Sequence, residues 1–159
     1  MDVFEAIKTR RSIRSFSNKE ISEEDLNTIM EAGRLAPSGN NRQPYKFVVI
    51  KDKALIKEYA STCCFQEFIS DAAVIIVGCV EKGREVAGAI AVQNMVLEAT
   101  ELGIGACWVG WFDREKARAL LNIPTNYEPF ITVPMGYPKE YPAERPKKSL
   151  NEIFVYNKF

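Results

Sequence analysis

The chain is 159 residues long and 47% hydrophobic, and its 21 basic residues balance 21 acidic ones to a formal net charge of zero. That length suits one domain, residues 1–159, with a substantial core, and the balance excludes a global field that would draw nucleic acid or an anionic membrane. Histidine is absent and the four cysteines, Cys63, Cys64, Cys79 and Cys107, lack C-x-x-C spacing, which removes histidine-based nucleophilic catalysis and leaves no pattern for a metal site.

The amino end has neither a basic leader nor an apolar signal core, and no later run reaches the ~20 apolar residues of a membrane span, so a cytoplasmic protein is expected. A helix is predicted over Val3–Thr9, capped by Asp2, with Glu5 three residues on as in a capping box. It leads into Arg10-Arg11-Ser12-Ile13-Arg14-Ser15-Phe16. In an extended strand Arg10, Ser12 and Arg14 point to one side, and in a helix Arg10 and Arg14 still share a face. Permanent charge and forked N–H donors beside a hydroxyl suit a phosphate, although a solvated basic edge has the same composition. Ile13 and Phe16 imply that the segment is packed down.

A second helix is expected over residues 22–35, with Ser22 as N-cap, acids in the first turn, an apolar face of Leu26, Ile29, Met30 and Leu35, and Gly33 allowing close approach. Residues 36–44, Ala-Pro-Ser-Gly-Asn-Asn-Arg-Gln-Pro, read as a loop. It is either an ordinary surface turn or, given its amides, a ligand-facing one. Residues 45–51 form a strand whose run Phe47-Val48-Val49-Ile50 fits a sheet covered on both faces. Asp52 opens a third helix, the connection through residues 61–70 buries Phe65, Phe68 and Ile69, and residues 72–80 are the plainest strand.

Residues 87–102 read as a central helix, apolar nearly all round apart from a strip of Asn94, Glu98 and Glu101, and stopped by Gly103. Such a helix is covered on most sides, either within one subunit or partly by a second. Residues 104–112 read as a further buried strand, with Gly105 and Gly110 allowing close contact and Trp108 and Trp111 in the core or stacked on a cofactor. Asp113 caps a short helix, and residues 129–138 make the last core strand. Beyond it lies an extended arm rich in proline and charge, including Arg145, Lys147 and Lys148, then an apolar tail, residues 150–159, that needs something to cover. The cysteines are expected to be idle thiols. The sum is an α+β architecture: a mixed sheet flanked by helices, a buried central helix and an extended C-terminal arm.

Four blocks, the Arg10–Phe16 motif, the loop at 36–44, Ala91-Val92-Gln93-Asn94 continuing to Leu102-Gly103-Ile104-Gly105, and Met135-Gly136-Tyr137-Pro138, together resemble the FMN-dependent nitroreductase family in its order and over nearly the whole chain. The resemblance implies a homodimer with FMN at the subunit interface and the carboxyl arm exchanged between subunits. It implies that Arg10, Arg11, Ser12 and Arg14 hold the phosphate and ribityl end, aided by Lys147 or Lys148. Pro37, Ser38, Gly39 and Asn41 would approach the flavin from the partner, Gln43 would add a contact, and the backbone of Val109, Gly110 and Trp111 would line the ring. Here lysine stands where the family often has a C-terminal arginine, and the flavin-covering helices inserted in larger relatives are missing. The implied activity is hydride transfer from NAD(P)H through flavin to a nitroaromatic, quinone or similar small-molecule acceptor. The alternatives are a flavin enzyme with another acceptor, such as an activated alkene, or a flavin-binding protein without turnover.

Overall fold

The structure, a computed structural model, describes residues 2–159. Its elements are α1 (Val3–Thr9), α2 (Glu23–Arg34), β1 (Tyr45–Ile50), α3 (Lys53–Cys63), β2 (Val74–Val80), α4 (Glu85–Glu101), β3 (Gly105–Ala106), α5 (Arg114–Leu120), β4 (Glu128–Gly136) and α6 (Leu150–Ile153). Four helices start where a short polar side chain caps the first free N–H groups: Asp2, Ser22, Asp52 and Asp113 each accept from the backbone three residues on. At its far end α4 stops at Gly103, whose φ of 71° is cheap for glycine and strained for other residues.

The strands form one sheet in the order β1-β2-β4-β3, antiparallel in every ladder; the parallel component recorded among the described residues is a bridge between Ser12 and Ala106. β2 is central and wholly buried, because its alternate residues feed two cores. Ile75, Val77 and Cys79 face α3 and α5 with Ile56, Tyr59 and Ala117. Val74, Ile76 and Val80 face α2 and α4 with Leu26, Ile29, Val92 and Met95. Both faces of β2 are therefore dry, which explains a run of apolar residues without alternation. Where α2 crosses α4, a Cβ on Gly33 would lie 2.7 Å from Met95 Cγ, and Asn94 of the polar strip donates to the Ala32 carbonyl at 3.2 Å.

Three expectations need correction. β1 is an edge strand and only its last residue is fully buried, so the run at 47–50 is covered less than its hydropathy implies. Residues 104–112 pair as a ladder only at Gly105 and Ala106, followed by isolated bridges at Val109 and Phe112. Phe65, expected inside, is 56% exposed and stacks on Trp111, itself 69% exposed, with ring centroids 4.8 Å apart. The central helix is buried along Ala91, Val92, Met95, Val96 and Ala99, while Val86 and Ile90 near its start remain exposed. Among the described residues no helix is long and apolar enough to cross a membrane, and no group of metal-ligating side chains gathers.

The four cysteines are free. Burial pushes the Cys63 and Cys79 thiols up to about 11 and the Cys64 thiol up to about 12, so these three are protonated and weakly nucleophilic at neutral pH. One polar pair crosses the core: the Tyr59 and Thr132 hydroxyls lie 2.6 Å apart, both fully buried. Thr132→Val should strand the tyrosine hydroxyl and cost about 1–3 kcal/mol. Thermal unfolding should show a drop of about 2–4 °C per kcal/mol, and adding Tyr59→Phe should recover most of it.

Candidate functional site

The basic motif is held as an extended ribbon stitched at both ends. Ile13 N–H donates to the Ala106 carbonyl at 3.0 Å, Ser17 N–H to Tyr137 at 2.8 Å, and Lys139 N–H to Ser15 at 3.0 Å. Ile13 and Phe16 are buried beneath it, and alternation about Ile13 turns its neighbours Ser12 and Arg14 outward. A Cβ on Gly105 would lie 2.5 Å from Ile13 Cγ1, and the β-branched isoleucine has little freedom to yield. Gly105→Ala should therefore overpack this contact by about 1–3 kcal/mol. It should also shift the ribbon; a lowered melting temperature together with weakened anion binding would register both effects.

The outward side forms a groove of about 410 Å³ whose lining includes Arg10, Arg11, Ser12 and Arg14 from the ribbon and Glu144, Arg145 and Lys147 from the arm. Two basic clusters from opposite ends of the chain thus meet. Among the described residues no ion pair is recorded for Arg10, Arg14, Arg145 or Lys147. Four cations without a carboxylate beside a hydroxyl form a site with unspent attraction for an anion. Lys148 does not line the groove. Arg145 does, although its position in a proline-rich coil carries no signal that separates it from its neighbours.

The loop at 36–44 lies outside the groove of its own chain. Ala36 and Pro44 are buried at its ends, while Pro37, Gly39, Asn41 and Gln43 are exposed and Ser38 is half-buried. Asn40, Asn41 and Gln43 have φ values of 53°, 54° and 51°. This left-handed path is fixed from within: Ser38 Oγ accepts from the Gln43 N–H at 2.9 Å, and Gln43 Nε2 donates to the Asn41 carbonyl at 2.9 Å and its Oδ1 at 3.2 Å. Left-handed backbone held by such cross-bonds presents a preformed surface.

Val109, Gly110 and Trp111 also lie outside the groove. Val109 is buried and exchanges both backbone hydrogen bonds with Thr132, at 2.9 and 3.0 Å, whereas Gly110 and Trp111 are exposed. The Phe65–Trp111 pair escaped sequence reasoning. Its two rings come together because Cys64 and Phe112 bridge and Asp113 N–H donates to the Cys63 carbonyl at 2.8 Å, a long-range pairing without periodicity.

The family model described as Nitroreductase family matches residues 7–74 and 63–137. A protein of Methanothermobacter thermautotrophicus, provisionally named NADH dehydrogenase/NAD(P)H nitroreductase, is 37% identical over 156 residues, covering 91% of this chain and 82% of its own. The crystal structure of a nitroreductase family protein from Clostridium difficile 630 superposes with a TM-score of 0.89 at 28% identity and covers all of both chains. A structure titled FMN-dependent nitroreductase, from Clostridium difficile R20291, gives a TM-score of 0.87 at 26% identity over 97% of this chain and 98% of the other.

Proposed function

The chain belongs to the nitroreductase family, and from that premise we propose that it is an FMN-dependent oxidoreductase that draws electrons from NAD(P)H. The observation that carries this reading is the groove where Arg10, Ser12 and Arg14 meet Arg145 and Lys147, with no carboxylate partner recorded among the described residues for any of the four cations. Its donor set fits a phosphate ester: guanidinium forks match the oxygens and the hydroxyl adds a donor. Lys147 rather than Lys148 is assigned to the phosphate because it lines the groove. When bound, FMN supplies the electron transfer between the nicotinamide and an acceptor of the nitroaromatic or quinone class.

The chain's own part is to anchor and orient. Arg10, Ser12, Arg14, Arg145 and Lys147 hold the phosphate end. The exposed backbone of Gly110 and Trp111 meets the ring, and Val109 supports it from the sheet, since its own N–H and C=O are already paired. The preformed loop bearing Pro37, Ser38, Gly39, Asn41 and Gln43 reaches the flavin of a second subunit. Support for a homodimer comes from apolar side chains left in water: Val3, Phe4 and Ile7 on α1, Leu35 after α2, and Val86 and Ile90 on α4. Val3 and Leu35 line a groove between α1, α2 and α4, Phe4 and Ile7 line the anion groove, and together the six are more apolar surface than a lone subunit comfortably exposes.

The test is to load the protein with FMN and add NADH or NADPH without oxygen. Loss of the oxidised-flavin absorbance with either donor is expected. A spectrum that persists with both donors overturns the reductase reading and leaves a protein that binds flavin without turning over.

A further inference from the structure

Arg11 stands apart from the other cations of the groove. Its Nη1 donates to the Lys8 carbonyl at 2.7 Å and to the Arg10 carbonyl at 3.0 Å, and its Nη2 lies 3.5 Å from Glu144 Oε2. The guanidinium is thereby fixed to the carboxyl end of α1, where exposed carbonyls favour a cation. The Arg11 side chain is 23% exposed, against 68% for Glu144, so the fixed member of the pair is the arginine and the carboxylate comes to it. Glu144 directly precedes Arg145 and lies three residues before Lys147, the two arm cations that line the same groove.

We propose that Arg11 is a positioning residue and not a phosphate ligand: it latches the arm through Glu144 and so holds Arg145 and Lys147 over the anion site. The latch rests on the FMN reading above and adds a division of labour within it. Arg10, Ser12 and Arg14 meet the phosphate directly, whereas Arg11 acts through the arm. The proposal carries an unusual sign. Treated as a bare charge, a carboxylate lining a groove for a dianion repels it, so removing Glu144 should tighten binding. Treated as the tether of two cations, its removal releases them, and binding should weaken.

Glu144→Gln separates the two, because the residue is exposed and the substitution is nearly isosteric, so the fold is unaffected. In fluorescence titrations, FMN affinity should fall by about two- to fivefold, the scale of a surface ion pair, while riboflavin, which has no phosphate, is unmoved. In a Lys147→Ala, Arg145→Ala background the same change should have no further effect on FMN. Arg11→Lys should match Glu144→Gln and not add to it, since an ammonium cannot span two carbonyls and a carboxylate as the fork does. FMN binding that is tighter or unchanged in Glu144→Gln overturns the latch while leaving the cofactor reading standing. A wild-type protein that does not prefer FMN to riboflavin overturns the cofactor reading, and the latch with it.

Discussion

Replacing Arg10 and Arg14 together by alanine should weaken FMN by roughly two to four orders of magnitude and riboflavin far less. Each guanidinium removed takes with it charge-assisted hydrogen bonds to a dianionic phosphate, worth about 1.5–3 kcal/mol apiece, and about 1.4 kcal/mol is tenfold in affinity. The fold should survive, because among the described residues neither side chain makes an ion pair, Arg14 reaches the rest of the chain through the Cys107 thiol, and the ribbon is held by Ile13, Phe16 and backbone bonds to Ala106, Tyr137 and Lys139. The quantity to measure is the ratio of FMN to riboflavin affinity by flavin fluorescence titration. In the wild type this ratio should fall as salt rises, since exposed charges are screened beyond about 10 Å at 0.1 M, and in the double variant it should be nearly flat. A ratio that is the same in both proteins would place the cofactor elsewhere.

That the Arg10–Phe16 motif could be read at all follows from its locality. Charge and hydroxyl flank the buried Ile13 within seven residues, so period-two geometry turns Ser12 and Arg14 away from it, although it does not account for Phe16, which shares their parity and is fully buried. The helix starts were legible for the same reason, since Asp2, Ser22, Asp52 and Asp113 each bond to a backbone group three residues away. β2 was legible because both its faces are apolar. What hydropathy does not record is strand order, and so β1, with a run as apolar as an inner strand, sits at the sheet's edge. Nor does it record where a ladder ends: Gly110 and Trp111 leave the sheet although Val109 bridges to β4, and Phe112 beyond them bridges to Cys64 at the end of α3. The arm shows the limit most plainly. Its basic composition pointed to an anion, but only the fold places Lys147 and not Lys148 along the groove and sets Glu144 against Arg11, because nothing in a proline-rich coil ties residue type to direction.

Deleting residues 150–159 should leave a protein that neither dimerises at micromolar concentration nor retains FMN. Leu150, Ile153, Phe154, Val155, Tyr156 and Phe159 are all exposed in the subunit. The hydrogen bonds recorded for this stretch stay within it or reach only the adjoining Ser149, as in Phe154 N–H to Leu150 and the Ser149 capping bonds to Glu152. A helix as short as Leu150–Ile153 does not stand on its own in water, where about 12–15 residues are marginal, so its apolar side chains must be ordered by something they cover. Burying each is worth about 1.5–3 kcal/mol as an upper bound, and a micromolar complex needs only about 8 kcal/mol net; seating part of the tail on a second subunit therefore decides whether the dimer persists. The arm that precedes it carries the groove's Arg145 and Lys147, so losing the anchor beyond them should also loosen the phosphate end. Light scattering with flavin occupancy measured on the same sample tests both consequences. A truncated protein that remains a fully FMN-loaded dimer would show that the apolar groove between α1, α2 and α4 suffices for assembly, and that the tail covers neither the partner nor the flavin.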